Sequence, residues 1–274
     1  MQSRCDNGYW LGNYSWSTAN PNNQSFQPTT AKKYFDSGGT ETSAGKGFFD
    51  VKTNRYLFWL WVHGDQDAQF GLDWDSMMSV PREMTVDAEL GQLVFYPIEE
   101  LARLRTRKVA SGRGVAMGAQ GAMMDLKVNS TQLDIVATFR WSGGVPKGFM
   151  VGIDFFMSRS EVTRAVFNTT SSQVVLDRSR SSLRKLPAPP SNEQTVLASR
   201  AELKPGESSI ELRVLADRSV AEVFVQRGRS TMSGRAYPTR ADSAGAALFA
   251  TGGGGREQPR VDFEVYEMGS CRVP

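Results

Sequence analysis

Two short acidic segments contain the side chains whose types and spacing could recognise a polar substrate. Asp36 stands before Gly38-Gly39, and Asp73, Trp74 and Asp75 stand shortly before a run that begins at Ser79. Carboxylates accept hydrogen bonds from hydroxyl groups, and a tryptophan ring can stack on a sugar. The same residues have ordinary structural uses, because an Asp caps a turn and a Trp fills a β core. Residue type alone leaves both interpretations open.

The sequence has few of the residues that metal sites, cysteine chemistry and serine-protease chemistry require. The chain has 1 His, His63, which excludes a multi-histidine metal site and leaves a Ser-His-Asp triad dependent on a residue at a predicted strand end. The 2 Cys, Cys5 and Cys271, have no CxxC spacing. They could form one disulfide or both be free, and we favour free or intermolecular pairing because the sequence gives no distance between them. No cofactor and no metal are predicted.

The overall composition is that of a folded protein with a substantial core. Of 274 residues, 40% are hydrophobic and 22% charged, and 32 Lys and Arg against 29 Asp and Glu give a net charge of +3. The basic residues are spread out, and the densest cluster, 178–185, alternates with serines. We therefore expect no nucleic-acid partner. No apolar run has transmembrane length, so no membrane association is expected either.

Glycosylation signals favour the secretory pathway. Four Asn-x-Ser/Thr sequons occur, at Asn13, Asn23, Asn129 and Asn168. Residues 1–6 lack the apolar segment of a signal peptide, so we expect any signal to lie upstream. The sequence predicts a glycoprotein that is extracellular or within the secretory pathway.

The sequence pattern predicts mainly β-strands, and these strands must position the candidate contact residues Asp36 and Trp74. Residues 56–62 are apolar and aromatic throughout, which predicts a strand buried on both faces. Residues 209–214 and 220–225 are joined by a short polar turn and predict a hairpin. Further strands are predicted at 124–128, 133–139, 149–156, 246–251 and 261–265. One helix is predicted at 97–105, because a proline begins it, its acids come early and its bases late. The fold class is therefore all-β. We expect an N-terminal β region at 1–97, a helical linker at 98–108 and a β-sandwich at 109–274.

One run of residues carries a specific resemblance. Ser79-Val80-Pro81-Arg82-Glu83-Met84 is followed by Gly91 and Leu93, Pro97, Glu100-Leu101 and Leu104-Arg105. This run resembles the "S-x-P-R-E-L … G-x-L … P … E-L … L-R" pattern of glycoside hydrolase family 32, which contains the invertases, inulinases and levanases. Further stretches resemble motifs of that family in the same order, at 9–14, 36–38, 44–50, 58–62, 175–179, 219–224 and 235–238.

The resemblance implies an architecture and an activity. It implies a five-bladed β-propeller followed by a C-terminal β-sandwich, with residues 1–97 forming about the last two blades. The implied activity is hydrolysis of O-glycosyl β-fructosidic bonds in sucrose or fructans. Three motifs of the family are absent: "W-x-N-D-P-N-G" with the nucleophilic Asp, "R-D-P" with a stabilising Asp, and "E-C" with the acid/base Glu. A retaining glycosidase needs two carboxyl groups about 5 Å apart. We therefore assign no catalytic residue and expect this chain alone to be inactive.

The resemblance also implies substrate contacts. Asp36 matches the Asp of the family's "D-Y-G" motif and would accept a hydrogen bond from a sugar hydroxyl, although Ser37 replaces the Tyr. Lys46 matches the Lys of "A-x-K-T-F", and Trp74 would lie near the pocket rim. The structural alternatives are that Asp36 caps the turn before Gly38-Gly39 and that Trp74 packs between blades.

Other charged residues are interpreted as structural. Arg82 and Glu83 are expected to form an ion pair that organises the last blade. Asp177, Arg178 and Glu222 are expected to be turn and surface groups of the sandwich.

Three functions remain open from the sequence. In the first, the chain is the C-terminal part of a family hydrolase that acts with a missing N-terminal half. Alternatively it is a non-catalytic carbohydrate-binding or protein-interaction module, or an incomplete product without a role of its own. Two blades of a ring leave unpaired edges and apolar faces, so we also expect the isolated N-terminal region to be poorly stable or to self-associate.

Overall fold

The computed structural model describes residues 7–20, 22–36, 41–64, 67–118, 121, 123–184 and 195–270. Cys5 and Cys271 lie outside the described residues, and so do Gly38 and Gly39. Within these ranges no helix is long and apolar enough to cross a membrane.

Short strands and one larger sheet make up the N-terminal part. The strands are β1 (Gly8–Tyr9), β2 (Gly12–Trp16), β3 (Gln24–Pro28), β4 (Lys33–Tyr34), β5 (Thr42–Asp50), β6 (Arg55–Val62), β7 (Met77–Met78), β8 (Arg82–Asp87) and β9 (Gln92–Pro97). A 3₁₀ helix spans Asp67–Phe70. β1 pairs with β4 and β2 with β3, and the 5-stranded sheet has the order β5-β6-β8-β9 with β7 on β6. All pairings are antiparallel.

A small aromatic core joins these sheets. Phe58 and Phe95 project from β6 and β9, with ring centroids 5.1 Å apart. Phe35, which follows β4, packs against both rings at 4.9 and 5.6 Å. Tyr9 stacks on Phe35 at 5.3 Å and accepts a hydrogen bond from the backbone N–H of Leu93 on its hydroxyl oxygen. Aromatic packing therefore fixes the segment that ends at Asp36 against the larger sheet.

The two faces of β6 are buried to different extents, so the prediction that residues 56–62 are covered throughout on both faces is wrong; on the face opposite Phe58, Leu57 is buried at 9% exposure. Phe58, Leu60 and Val62 point into the core, at 6%, 0% and 0% exposure. Trp61 points the other way and is 44% exposed, and Tyr56 is 51% exposed. A continuous apolar run does not reveal whether a second layer covers the far side of a strand.

The predicted helix is shorter than the sequence indicates. A 3₁₀ helix spans Glu99–Leu104, and β10 (Arg105–Ala116) begins at the next residue. Residues 105–108 were expected in the helical linker but lie in a strand. The side chain of Arg105 is bound by Asp134 at 2.7 Å and lies 4.1 Å from the ring of Tyr266, so tertiary contacts favour the extended conformation.

Two six-stranded antiparallel sheets form a sandwich. Its strands after β10 are β11 (Met123–Asp125), β12 (Gln132–Arg140), β13 (Phe149–Met157), β14 (Val162–Asn168), β15 (Gln173–Arg180), β16 (Val196–Arg200), β17 (Ser209–Asp217), β18 (Val220–Val225), β19 (Ser230–Arg235), β20 (Gly245–Gly252) and β21 (Arg260–Met268). One sheet has the order β10-β21-β12-β17-β18-β19 and the other β11-β20-β13-β14-β15-β16. The inner faces bury side chains such as Ile135, Ile153, Phe167 and Val214, each at 0% exposure. The predicted hairpin is confirmed as β17 and β18, whose register pairs Asp217 with Val220.

A backbone contact joins the turn after β18 to β9. The N–H of Phe95 donates to the carbonyl of Gly228 at 3.1 Å. Gly228 has φ +91, and a Cβ there would lie 2.2 Å from the carbonyl oxygen of Phe95. Only glycine allows this approach.

Glu161 anchors three loops at one end of the sandwich. Its carboxylate accepts hydrogen bonds from the backbone N–H groups of Leu183, Thr239 and Arg240, and from the hydroxyl of Ser243 at 2.6 Å. Burial alone would raise the pKa of Glu161, but these donors outweigh it and lower the pKa below its ordinary value.

We predict that Glu161→Gln destabilises the protein by about 2 kcal/mol at pH 7, because several donors lose a charged acceptor. A lowered pKa stabilises the fold above the ordinary carboxyl pKa, and this contribution is lost as the pH falls through the folded-state value. Urea unfolding of both proteins should therefore converge toward acidic pH. Asp242→Asn, at an exposed pair with Arg240, serves as a control with a small effect.

Candidate functional site

Arg82 links the N-terminal sheet to the sandwich. It begins β8 and is completely buried. One guanidinium nitrogen lies 3.2 Å from Asp36 Oδ2, and the other lies 2.7 Å from Glu222 Oε2 on β18. The second nitrogen also donates to Ser233 Oγ at 2.6 Å. A single cation therefore binds a carboxylate from each side of the contact, a geometry in which guanidinium donors are strong.

Asp36 has no free face for a sugar hydroxyl. Its Oδ1 accepts the backbone N–H of Ser233 at 2.8 Å, and its Oδ2 accepts the Ser233 hydroxyl at 2.8 Å as well as Arg82. The side chain is 1% exposed. The sequence predicted a sugar acceptor or a turn cap here. The structure gives the carboxylate partners on β8 and β19, and the turn at Gly38-Gly39 lies outside the described residues. A sugar could reach it only by displacing Arg82 or Ser233.

Burial and charge act in opposite directions on the members of this cluster. Burial disfavours the charged guanidinium, but the attraction of Glu222 and Asp36 outweighs it, so the pKa of Arg82 is raised. Burial raises the pKa of Glu222, and the nearby negative charge of Asp36 adds to this, while Arg82 and the backbone N–H of Val80 oppose it. Asp36 and Glu222 share one cation, and their side chains are only 1% and 4% exposed. They are therefore unsuitable as the nucleophile and acid of a hydrolytic reaction.

Two further buried ion pairs flank the cluster. Arg178 on β15 binds Glu41, which precedes β5, with one guanidinium nitrogen 2.7 Å from Oε2. Arg235 on β19 lies 2.5 Å from Asp67 Oδ1 in the first 3₁₀ helix. Each pair joins the sandwich to the N-terminal part, so three arginines span the contact.

Trp74 and Lys46 occupy more open positions. The Trp74 ring lies 4.8 Å from the guanidinium of Arg235 and is 43% exposed, so it packs against the sandwich and keeps one side open to solvent. Asp67 holds the segment that carries Trp74, because its Oδ2 accepts the backbone N–H of Ser76 at 2.9 Å. Lys46 is exposed on β5 opposite Trp59. Asp36 and Trp74 both contact β19 of the sandwich. Lys46 lies on β5 of the 5-stranded N-terminal sheet.

A cleft of about 400 Å³ opens between the two parts of the chain. Its walls include the rings of Tyr9 and Tyr34, and Lys32, Arg200 and Ser230. None of the three predicted contact residues lines it. Among the described residues no group of three or more His, Cys, Asp and Glu side chains could hold a metal ion.

Several structural assignments from the sequence are wrong. Arg82 does not pair with Glu83, which lies 3.9 Å from Arg55 instead. Glu222 and Arg178 were expected at the surface, but they are 3% and 8% exposed. Glu222 could have been noticed, because it is the only charged residue within the apolar strand Val220–Val225. A charge inside such a strand indicates a buried partner.

Two family models account for most of the chain. The model described as Glycosyl hydrolases family 32 C terminal matches residues 100–267, and the model described as Glycosyl hydrolases family 32 N-terminal domain matches residues 1–97. The chain belongs to glycosyl hydrolase family 32. Its sequence resemblance to that family is thereby confirmed.

Curated relatives carry related names. An insoluble isoenzyme of beta-fructofuranosidase from Arabidopsis thaliana is 26% identical, over 84% of this chain and 45% of the relative. A vacuolar acid beta-fructofuranosidase from a Rosa hybrid cultivar is 29% identical, over 97% of this chain and 46% of the relative. This family 32 chain spans about half the length of the curated relatives it matches.

Solved family 32 structures show the fold. Fructan 1-exohydrolase IIa from Cichorium intybus matches 96% of this chain and 55% of its own, with a TM-score of 0.73 at 21% identity. Exo-inulinase from Aspergillus awamori matches 90% and 48%, with a TM-score of 0.69 at 21% identity. The chain therefore folds as the last blades of a β-propeller followed by a β-sandwich.

We predict that Arg82→Met destabilises the protein by about 3–5 kcal/mol, because it leaves two buried carboxylates without a cation. Arg140→Met is the matched control. Its ion pair with Asp262 has side chains 53% and 37% exposed and should contribute under about 1 kcal/mol. Urea unfolding at neutral pH measures both effects, and similar losses for the two variants would contradict a special role for Arg82.

Proposed function

We propose that this chain is the C-terminal part of a glycosidase that hydrolyses β-fructosidic bonds in sucrose or fructans. Family membership carries the proposal, supported by relatives named beta-fructofuranosidase and fructan 6-exohydrolase. A fructan 1-exohydrolase of similar fold has been solved with 1-kestose. Within the proposed enzyme, residues 1–97 form the last blades, and the sandwich begins at Arg105 instead of residue 109.

The reacting carboxylates of the proposed enzyme lie outside this chain. The sequence contains none of the three family motifs that supply them. The carboxylates that the sandwich contact brings together, Asp36 and Glu222, are held by Arg82 and screened from solvent. The part played by this chain is therefore to carry the last blade and to brace it against the sandwich.

We predict that the purified chain releases no fructose from sucrose or inulin above a protein-free control. Removing the nucleophile and acid of a glycosidase lowers the rate by several powers of ten. Fructose should be assayed for the wild-type chain and for Asp36→Asn. Release of fructose by the wild-type chain above the protein-free control would contradict this prediction, and its loss in an Asp36→Asn variant that unfolds at the same urea concentration would assign the activity to Asp36.

Trp74 and Lys46 are the proposed substrate contacts within this chain. The open side of the Trp74 ring offers a stacking surface, and the exposed ammonium of Lys46 offers donors to sugar oxygens. Asp36 helps to hold the N-terminal sheet against the sandwich and does not touch the sugar.

We predict that Trp74→Ala weakens 1-kestose binding at least tenfold in titration calorimetry, and that Lys46→Ala weakens it several-fold. Trp16→Ala and Lys52→Ala are matched controls, since both residues are exposed and neither lines the cleft between the two parts of the chain. Equal effects of Trp74→Ala and Trp16→Ala would contradict the assignment.

A carbohydrate-binding module without catalysis is the second candidate, and the cleft between the two parts of the chain favours it. The cleft combines aromatic rings with Lys32, Arg200 and Ser230, groups that can contact a sugar without attacking it. Tyr34→Ala distinguishes the two candidates: loss of 1-kestose affinity in this variant, with Trp74→Ala unaffected, would favour the cleft.

We further propose that the open face of the β5–β6 sheet binds a second polypeptide. Phe48 and Trp61 on this face are 52% and 44% exposed, and Met78 beside Trp61 is 52% exposed. An exposed apolar patch of this kind usually marks an interface. For the isolated chain, the occupant is a second copy.

We predict that the isolated chain self-associates, and that Trp61→Lys shifts it toward the monomer. Sedimentation velocity measures the association constant of each protein. Val86→Lys is the control, because Val86 is 62% exposed elsewhere on the same sheet. A wild-type chain that sediments as a monomer at micromolar concentration would contradict this prediction.

Secretion and glycosylation remain part of the proposal. Relatives include vacuolar and insoluble isoenzymes. The sequon residues Asn13, Asn23 and Asn129 are exposed, as a glycan requires, and Asn168 is partly exposed.

A further inference from the structure

The cluster of Arg82, Asp36 and Glu222 contains one guanidinium and two carboxylates. All three side chains are no more than 4% exposed. Among the described residues, the neighbouring pairs Arg178–Glu41 and Arg235–Asp67 each join one cation to one anion. The cluster therefore holds one surplus negative charge on side chains that are almost completely buried, and Glu222 also lines a cavity of about 230 Å³. An uncompensated buried charge is costly, and binding one proton removes it.

We propose that this cluster is a proton-linked junction: mild acid adds one proton at Glu222 and tightens the contact between the N-terminal sheet and the sandwich. This inference is independent of the proposed enzymatic function. It concerns a contact that exists in the isolated chain.

Hydrogen bonding favours Glu222 as the site of the proton. Asp36 accepts three donors, from the backbone and hydroxyl of Ser233 and from Arg82. Glu222 accepts two, from Arg82 and from the backbone N–H of Val80, each at 2.7 Å. A carboxylate with more donors holds its charge more strongly, so the proton goes to the other.

Among the described residues around the cluster, Asp217 lines the same cavity as Glu222 and adds a further negative charge, and the other neighbours are neutral. On β19, the hydroxyls of Thr231 and Ser233 face Arg82, and on β18 the ring of Phe224 lies 5.1 Å from the guanidinium. These neutral groups cannot balance the second carboxylate. Desolvation and the charge of Asp36 accordingly raise the pKa of Glu222 above its unfolded value.

The sign of the pH dependence follows from this direction. A group whose pKa is raised by folding contributes stability that is fully present below the unfolded pKa and is lost as the pH rises through the folded pKa. Between the two values, one bound proton changes the unfolding equilibrium constant by up to about tenfold per pH unit. Glu161, whose pKa is lowered, acts in the opposite sense.

The test is urea unfolding of the full chain from pH 5 to pH 8, followed by tryptophan fluorescence. Wild type is compared with Glu222→Gln and Asp36→Asn, each of which removes the surplus charge, and with Asp242→Asn as an exposed control. We expect the ratio of unfolding constants between wild type and either cluster variant to change up to about tenfold per pH unit. Asp242→Asn should run parallel to wild type, and cluster variants that also do so would overturn the proposal.

A measurement on the folded wild type covers the case in which a variant does not fold. Carbon-13 NMR follows the titration of glutamate carboxyl groups directly, and Glu222→Asp identifies the signal by its disappearance. We expect the Glu222 carboxyl to titrate above the ordinary glutamate range. Titration at or below about 4.3, the ordinary value, would refute the junction.

Discussion

The structure depends on the burial of one guanidinium, that of Arg82, between two carboxylates from opposite parts of the chain. Removing the guanidinium from water is expensive, and the acceptors that offset this cost are Asp36, Glu222 and the Ser233 hydroxyl. This requirement fixes the position of β8 relative to β18 and β19. The ion pairs therefore stabilise the contact and also fix one relative position of blade and sandwich, because a shift of a few ångströms would leave a buried charge without its partner.

The flanking pairs extend this selectivity along β19 and β15. Arg235 and Arg178 reach out of the sandwich and bind acids that lie in or beside loops of the N-terminal part. Through Asp67, one of these pairs also supports the segment that carries Trp74. The sandwich is thus a scaffold on which loops of the last blade are arranged.

Much of the fold could be predicted from the sequence, and most of the contact could not. Alternation of apolar and polar residues located the β17–β18 hairpin, and the run from Ser79 to Arg105 indicated the family. The partners of Arg82 were missed because alternation separates the two faces of a strand but does not show which polar face another sheet will cover. The same limit explains why Tyr56 and Trp61 were expected inside. The sequence pattern gives the periodicity of a strand, whereas the burial of its side chains depends on which elements pack against each face of the sheet.

The junction between Phe95 and Gly228 has a consequence for how such a chain can vary. The two residues meet through backbone atoms alone, and the missing side chain at Gly228 is what permits the approach. A single added methyl group at Gly228 would clash with the carbonyl of Phe95 and separate β9 from the turn. Gln226 in the same turn is restricted in a different way, because its side chain accepts the backbone N–H of Glu211 and donates to the carbonyl of Ser209. Substitution within this one turn is therefore limited by backbone approach at one position and by side-chain hydrogen bonds at another.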